Sequence, residues 1–252
     1  MAYREGAEKY YDLFGEKQDV GFYLDLAKEQ GGKALELGVG TARLAVQLAR
    51  AGVEVWGIDN SPHMLRAAKA KLAKEKPDVR SRVHLKQADV REFDLHERFG
   101  LVYFPSFSFD HLVTRNDQVL TLRCVLRHLT LDGVFAFDLA HVPKIEAGSG
   151  WFVERKALDG QRTVVRLGFH KTNAEKRLMS MDLWYELYEK GRMLERYHEG
   201  GEVHIHDPDS VKRLLVESGF EIAEWYGGHE KERFTDRSKI VVIVARPFSK
   251  TT

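Results

Sequence analysis

The chain has 252 residues, of which 43% are hydrophobic and 31% charged, so it can bury the core of one large α/β domain. Its 39 basic and 38 acidic side chains give a formal net charge of +1, which argues against the strongly basic face of a nucleic-acid-binding protein. The single cysteine, Cys124, cannot form an internal disulfide, and no apolar run approaches the ~18 residues of a membrane-spanning helix. The first residues do not resemble a signal peptide. We therefore expect a cytoplasmic protein that does not act at a membrane.

Helical and strand patterns alternate along the first 149 residues. They predict helices at 4–14 and 19–30, a strand at 34–37, a helix that ends at Gly52, a strand at 53–58, a helix at 61–74, strands at 82–88 and 101–104, a helix at 116–129 and a strand at 133–139. The residues expected to be buried on the second and third helices are Phe22, Leu24, Leu26 and Ala27, and Leu44, Leu48 and Ala51. This alternation predicts a Rossmann-like parallel sheet with helices on both faces.

Near residue 150 the pattern changes to a period of two, which predicts an antiparallel insertion of three or four strands. The segments are 163–171, 179–188 and 193–206, with a turn at Gly191. In the middle segment one face carries Met179, Met181, Leu183, Tyr185 and Leu187, and the other carries Ser180, Asp182, Trp184, Glu186 and Tyr188. A helix at 207–218 with Asp207 as its N-cap follows, and strands at 220–226 and 240–246 complete the sheet. We expect one domain, with cap helices at 1–32, a core at 33–149 and 207–252, and the insertion at 150–206.

A glycine loop follows the first predicted strand, where an open parallel sheet usually binds its ligand. Glycines 38 and 40 let the backbone turn sharply and approach a ligand closely. Asp59 ends the next strand, 19 residues beyond Gly40, where a carboxylate can accept hydrogen bonds from both hydroxyls of a ribose. Arg43 stands where the dinucleotide fingerprint has its third glycine, which disfavours NAD and FAD. Glu36 repels a diphosphate and tolerates a cation, so the loop favours a phosphate-free nucleoside that carries a positive charge.

The third predicted strand ends at Asp89. Its carboxylate can accept from an exocyclic adenine amine while the backbone N–H of Val90 meets a ring nitrogen, or Asp89 can simply cap a turn. Together with these residues, the segment from Leu35 to Leu112 resembles the class I S-adenosylmethionine-dependent methyltransferases. The resemblance rests on the motifs ALELGVGTARLA, GIDNSPHML, QADVREF and LVYFPSFSFDHL in family order and spacing. It covers about a third of the chain, and Gly100 departs from the Asp that many members have before the fourth strand.

The resemblance implies S-adenosylmethionine as cofactor, S-adenosylhomocysteine as product and a specific set of cofactor-binding residues. Glu36, Gly38, Gly40 and Arg43 would lie at its methionine and ribose portion, Asp59 and Asn60 at the ribose, Met64, Asp89 and Val90 at the adenine, the Phe104 backbone at the amino group, and Tyr11 on a helix that caps the pocket.

The segment after the fourth strand is where the acceptor should enter. It lacks the Pro-Pro-aromatic signature of nucleic-acid amino methylation and resembles small-molecule N-methyltransferases of the glycine and aminosugar types. His111 is then the candidate catalytic base or substrate contact, or else a loop histidine with a structural role. Asp138 and His141 follow the fifth strand and could also reach the acceptor, although Asp138 could instead cap a turn.

The insertion is expected to roof the acceptor pocket with His170, Trp184, Tyr188 and Tyr197, or to use these aromatic residues against the body or a second copy in a homodimer. We expect no metal site, since His204 and His206 lack the rest of a ligand set. The basic stretch from Lys69 to Lys86 is interpreted as a solvated helix face, and Cys124 as a core residue.

Three other functions share parts of this pattern. A nucleotide-dependent oxidoreductase would use the same crevice, but Arg43 disfavours it. A tRNA or rRNA methyltransferase would share the cofactor site, but the charge balance disfavours nucleic acid as a partner. A non-catalytic protein that binds S-adenosylmethionine would have the same sequence features. The function predicted from the sequence is methyl transfer to a small polar molecule, at nitrogen.

Overall fold

A computed structural model describes residues 5–6, 8–15 and 18–248 of the chain. Of the first predicted helix, residues 4 and 7 lie outside the described residues. The helices are α1 (Glu8–Phe14), α2 (Val20–Gln30), α3 (Arg43–Arg50), α4 (Pro62–Leu72), α5 (Pro77–Arg80), α6 (Arg115–His128) and α7 (Pro208–Glu217). The strands are β1 (Lys33–Leu37), β2 (Glu54–Asp59), β3 (Val83–Gln87), β4 (Phe99–Phe104), β5 (Leu129–Ala140), β6 (Gly148–Ala157), β7 (Arg162–Asn173), β8 (Leu178–Glu189), β9 (Arg192–His204), β10 (Phe220–Tyr226) and β11 (Ile240–Pro247).

A seven-stranded sheet forms the centre of the molecule, in the order β10-β11-β5-β4-β1-β2-β3. Neighbouring strands from β5 to β3 are parallel, and β11 runs antiparallel to both β5 and β10. The chain reverses its direction of winding between β1 and β4, so the carboxyl ends of these strands border an open crevice. The predicted Rossmann-like sheet is confirmed, and β1 at its centre is buried from Ala34 to Leu37.

Helices cover both faces of this sheet and bury one apolar layer on each side. α3 contributes Leu44 and Leu48 as predicted, but the prediction for Ala51 is wrong, because Ala51 is the exposed C-cap of that helix. On α2 the fully buried residue is Tyr23, while Leu24 is only half-buried. Tyr23 is buried because its hydroxyl donates a 2.8 Å hydrogen bond to Asp138, which satisfies its polar atom inside the core.

Most predicted element boundaries agree with the structure to within two residues. Ser61 and Asp207 cap α4 and α7 as predicted, each accepting a backbone N–H three residues on. β5 begins four residues earlier than predicted, at Leu129, directly at the end of α6. β9 ends at His204, because the next residues lead into the cap of α7. Neither the short helix α5 nor a single 3₁₀ turn at Ser108–His111 was predicted.

The insertion is a four-stranded antiparallel sheet in the order β6-β7-β8-β9. Leu183, Tyr185 and Leu187 of β8 form a small core with Val164 and with Tyr10 of α1, so this inner face packs on the body. The predicted grouping of the aromatic residues is wrong. Strand register pairs His170 with Met181 and Tyr197 with Tyr185, so both belong to the inner face, whereas Trp184 and Tyr188 lie on the outer one.

Gly100 is explained by close packing. A Cβ at this position of β4 would lie 2.8 Å from the carbonyl oxygen of Gly31 and 3.2 Å from that of Gln30, at the end of α2. An Asp here would collide with the backbone, so α2 can approach β4 only because residue 100 is glycine. None of the described helices is long and apolar enough to cross a bilayer.

Candidate active site

A cavity of about 220 Å³ lies at the carboxyl ends of β1, β2, β3 and β4. The structure brings all twelve sequence-predicted site residues to its wall. They are Tyr11, Glu36, Gly38, Gly40, Arg43, Asp59, Asn60, Met64, Asp89, Val90, Phe104 and His111. They come from the ends of four strands and the turns after them, from helices α1, α3 and α4, and from the loop after β4, so only the folded chain places them together.

The glycine loop and the end of β2 are joined by one carboxylate. Asp59 accepts the Gly40 N–H at 2.9 Å through Oδ2 and the Ser61 N–H at 2.8 Å through Oδ1. Gly38 and Gly40 both have positive φ, at 63° and 53°, which glycine adopts without strain. A Cβ added at Gly38 would lie 3.2 Å from the ring of Phe104, which faces the same cavity. Each Asp59 oxygen keeps an acceptor position for a ligand hydroxyl.

Glu36 is almost fully buried beside this loop, and its Oε2 accepts a 2.9 Å hydrogen bond from the hydroxyl of Tyr103. Burial raises the pKa of Glu36 to about 8, while Tyr103 and the charge of Arg43 act in the opposite direction. The ionised form of this side chain can attract a cation into the cavity, and a bound cation in turn favours the ionised form. The sequence did not reveal Tyr103, because a tyrosine in a buried strand resembles any core residue.

Arg43 is held by two partners at the start of α3. Its guanidinium pairs with both carboxylate oxygens of Asp19, and its Nη2 lies 3.2 Å from Ser106 Oγ. Asp19 precedes α2 but makes no cap hydrogen bond, since its carboxylate is directed to Arg43 instead. A fixed guanidinium at this edge of the cavity can receive a ligand carboxylate. Sequence reasoning missed Asp19, whose position before a helix suggests only a cap.

Asp89 lines the cavity together with Val90 and the buried Met64, the residues that are expected at the adenine. Its Oδ1 accepts the Arg91 N–H and Nε–H, each at 2.9 Å, and its Oδ2 accepts Nη2–H at 2.6 Å. These hydrogen bonds from Arg91 hold the pKa of Asp89 below its ordinary value. Asp89 therefore makes the turn contact considered from the sequence and still faces the cavity. Arg91 was missed, although an Asp two residues before it is the pattern of an Asx-turn.

The loop after β4 carries His111 on its 3₁₀ turn. The ring is mostly buried and hydrogen-bonds the backbone of Glu202 in β9, while its Nδ1 is buried and has no hydrogen-bond partner among the described residues. Since Nδ1 has no partner, we assign the proton to Nε2. Burial lowers the pKa of His111 to about 4, so the imidazole is neutral and presents a lone pair at neutral pH.

Asp138 at the end of β5 holds this loop by hydrogen bonds to its backbone. It accepts the N–H groups of Ser106 at 3.2 Å and Phe107 at 2.5 Å, in addition to the Tyr23 hydroxyl. Ser106 and Phe107 are consecutive non-glycine residues with φ of 60° and 58°, a strained conformation that such hydrogen bonds can hold. In return, Asp110 of the loop accepts the Ala140 N–H of β5 at 3.1 Å. Asp138 therefore caps a turn and is not exposed to the cavity.

The remaining sequence candidates lie elsewhere. The prediction that His141 could reach the acceptor is wrong for this cavity, because its ring contacts the Ser238 carbonyl at 2.7 Å and the ring of Phe234. The rings of His204 and His206 contact each other edge to face, and no cluster of three metal-ligating side chains occurs within the part of the chain that the structure describes. Cys124 is buried as predicted.

α1 carries Tyr11 to the cavity and is tied to the core by its next residue. Asp12 accepts from Thr41 Oγ1 at 2.7 Å and from Lys71 Nζ at 2.5 Å, which links α1 to the glycine loop and to α4. Most of the basic stretch around Lys71 is otherwise solvent-facing, as predicted. The cavity is therefore bordered by α1, and its wall is linked to β9 of the insertion through the hydrogen bond between His111 and the Glu202 backbone.

Residues 34–133 match the family model described as a methyltransferase domain. A glycine/sarcosine N-methyltransferase of Aphanothece halophytica is 32% identical over 120 residues, which span 46% of this chain and 44% of that protein.

Among solved structures, the CcbJ methyltransferase of Streptomyces caelestis superposes with a TM-score of 0.82 at 22% identity, over 96% of each chain. The sugar N-methyltransferase KedS8 of Streptoalloteichus gives 0.74 at 20% identity, over 98% of this chain and 95% of that one. At these identities the superpositions establish the fold, whereas the family match includes the glycine loop and the ends of the first four strands. The chain is a class I S-adenosylmethionine-dependent methyltransferase.

Proposed function

We propose that this methyltransferase acts on a nitrogen atom of a small polar molecule that binds between the loop after β4 and the insertion. The observation that carries this proposal is His111 Nδ1, a buried acceptor on the wall of the cofactor cavity that has no hydrogen-bond partner among residues 5–6, 8–15 and 18–248. A buried acceptor of this kind is costly unless a ligand donor satisfies it. The sugar and glycine/sarcosine N-methyltransferases among the similar proteins support the same acceptor class.

The residues around the cavity fit the cofactor chemically. Asp59 has two acceptor positions left for the ribose hydroxyls, and Glu36 offers a buried carboxylate to a cation. Gly38 leaves open the space beside Phe104 that a Cβ would fill, and Arg43 can receive a carboxylate. When bound, S-adenosylmethionine supplies a methyl group on a positively charged sulfur. We propose that Asn60 and Tyr11 complete this binding site.

His111 would orient the acceptor rather than remove a proton from its ammonium form. With a pKa of about 4, its imidazole is a weak base at neutral pH but a good hydrogen-bond acceptor. An N–H or O–H group of the acceptor would donate a hydrogen bond to Nδ1. This hydrogen bond would fix the direction in which the lone pair of the acceptor nitrogen points. Alignment of this kind can contribute about 7–11 kcal/mol to a displacement reaction, more than a weak base can supply.

The acceptor class is tested by measuring release of S-adenosylhomocysteine across a panel of amines, aminosugars, carboxylates and phenols, each assayed with and without EDTA. We expect turnover with one class of amines, and no dependence on a metal ion. Turnover with carboxylates or phenols alone would contradict the nitrogen assignment. Turnover with transfer RNA or ribosomal RNA alone would favour the nucleic-acid alternative, and cofactor binding without turnover on any acceptor would favour a non-catalytic binding protein.

We also propose that the outer face of the insertion pairs two copies of the chain. Trp151 and Val153 on this face are 66% and 55% exposed, and the ring of Trp151 stacks on that of Trp184 with centroids 5.7 Å apart. Exposed aromatic residues clustered on a sheet favour a protein interface. Trp151→Glu should shift a dimer to monomer in light scattering, and the matched control Leu131→Glu, at a 94% exposed site on β5, should not. A wild-type monomer would contradict the proposal.

The single cysteine favours a reducing, cytoplasmic location.

A further inference from the structure

The acidic side chain at the adenine end of the cavity is held in one orientation by a neighbouring arginine. Arg91 lines the cavity beside Asp89 and donates to it three times, from its backbone N–H and from two guanidinium nitrogens, at 2.9, 2.9 and 2.6 Å. A carboxylate has about four acceptor positions. Both positions on Oδ1 are taken, and one on Oδ2, which leaves a single position on Oδ2 for a ligand donor.

The other end of this arginine is equally fixed. Arg91 Nη1 donates to Asp117 Oδ1 at 3.0 Å, and the remaining oxygen of Asp117 accepts from the hydroxyl of Thr114 at 2.7 Å. Thr114 in turn caps α6 by accepting the Asp117 N–H. The backbone of Arg91 is also restrained, since its carbonyl accepts from the thiol of Cys124 at 3.2 Å. The guanidinium is therefore a rigid bridge between the adenine end of the cavity and the first turn of α6.

This network contributes little to stability. The side chains of Arg91 and Asp89 are 45% and 35% exposed, and exposed ion pairs are typically worth about 0–1 kcal/mol. Its consequence is geometric, because a free Asp side chain at the end of a strand could rotate and present either oxygen. A bidentate arginine removes that freedom in a way that a lysine cannot.

We propose that Arg91 is a positioning residue for cofactor specificity, which holds Asp89 so that one oxygen position is open to the exocyclic amine of adenine. This rests on the proposed function, and on the expectation from the sequence that Asp89 and Val90 contact the adenine edge. A 6-amino purine can donate to that position, whereas a purine without the amine leaves it unsatisfied. Arg91 thus acts through Asp89 on the choice of base, and it need not touch the ligand.

The test compares two ligands by titration calorimetry: S-adenosylhomocysteine and its analogue with an unsubstituted purine, which keeps the ring nitrogens and lacks only the amine. We expect the wild type to prefer the adenine ligand by about tenfold or more, as for a hydrogen bond to a charged group. Arg91→Ala and Arg91→Lys should both reduce this preference by at least about threefold, because both lose the bidentate contact while Lys keeps the charge. The control Arg123→Ala removes an exposed arginine from α6 and should keep the wild-type preference.

Asp89→Ala distinguishes the role of Arg91 from the contact of Asp89 with adenine. If Asp89→Ala abolishes the preference and the Arg91 variants keep it, the role of Arg91 is wrong and the cofactor pose stands. If Asp89→Ala itself keeps the preference, the proposed contact of Asp89 with adenine is wrong, and the role of Arg91 is wrong with it. An equal loss of affinity for both ligands in Arg91→Ala would assign Arg91 a general structural role and overturn the inference.

Discussion

Asp59 Oδ2 lies 2.9 Å from the backbone nitrogen of Gly40, so a residue at the end of β2 fixes the loop that follows β1. The two residues are 19 positions apart, and the segment between them includes the whole of α3. Asp59 is 6% exposed, and burial raises its pKa while the Gly40 and Ser61 N–H groups oppose that rise. The carboxylate thus organises the loop and keeps acceptor positions for a ligand.

The first prediction concerns this carboxylate. Asp59→Ala should weaken S-adenosylmethionine binding by about 1.5–3 kcal/mol, since it removes a charged acceptor from two ribose hydroxyls. Titration calorimetry measures the affinity, and circular dichroism checks that the variant is folded. Asp132→Ala removes an exposed aspartate at the far end of β5 and should bind like the wild type. A folded Asp59→Ala variant with unchanged affinity would contradict the ribose assignment.

The second prediction concerns Gly38. Gly38→Ala adds a methyl group at positive φ, 3.2 Å from the Phe104 ring in the cavity wall, so cofactor affinity should fall at least tenfold. The strain of positive φ costs roughly 1–2 kcal/mol by itself. Gly32→Ala has the same strain, at φ 68°, with open space around its Cβ. It should lose a similar amount of stability in urea unfolding and bind normally. Equal affinities in the two variants would mean that the loop does not contact the cofactor.

The third prediction is a proton released at Glu36. In the cofactor-free protein its pKa of about 8 keeps it mostly protonated at pH 7, and a bound cation favours the ionised form. Binding should therefore release up to about 0.9 proton at pH 7, and affinity should rise with pH and level off above pH 8. The proton on Glu36 also stabilises the free protein, fully below its ordinary pKa near 4.5 and less as pH rises through 8.

Calorimetry in buffers of different ionisation enthalpy counts the protons released. Glu36→Gln is nearly isosteric and cannot ionise, so the variant should release fewer protons than the wild type when it binds the same ligand. Protons released by the ligand itself are the same in both proteins and cancel in the comparison. Equal proton numbers in the two proteins would assign the release to another group.

The sequence predicted elements well wherever a local signal exists. The caps at Ser61 and Asp207 and the glycine turns fix helix ends through contacts within a few residues. The two faces of β8 were predicted from its own alternation, but the face of Tyr197 on β9 was not, because β8 and β9 shift register between Leu187 and Tyr188. Such a shift depends on pairing between distant segments, and a slip of one residue exchanges the two faces.

In the candidate site, too, residues with a local sequence signal were predicted, and residues that act through distant contacts were not. All of its twelve predicted residues except Tyr11, which lies on α1, belong to motifs at or after strand ends, and the sheet brings these motifs to one edge. The residues that hold them belong to no such motif: Asp19 reaches Arg43 across 24 positions, and Asp117 reaches Arg91 across 26. His141 was placed wrongly because the strand end predicts its position, but not the contact with Ser238 that turns its ring away.

The last prediction separates two roles of His111, which presents Nδ1 to the cavity and donates to the Glu202 backbone of the insertion. Asn places an acceptor near the Nδ1 position, whereas Gln places its amide near the Nε2 position. If orientation of the acceptor matters, His111→Asn should keep most turnover and His111→Gln should lose about tenfold, as for one hydrogen bond. Both should bind the cofactor normally, which calorimetry checks, and steady-state assays give kcat and KM. The reverse order would show that His111 serves to anchor the insertion. A loss of 10²-fold or more in both, within the range of a general base, would contradict the role of a neutral acceptor.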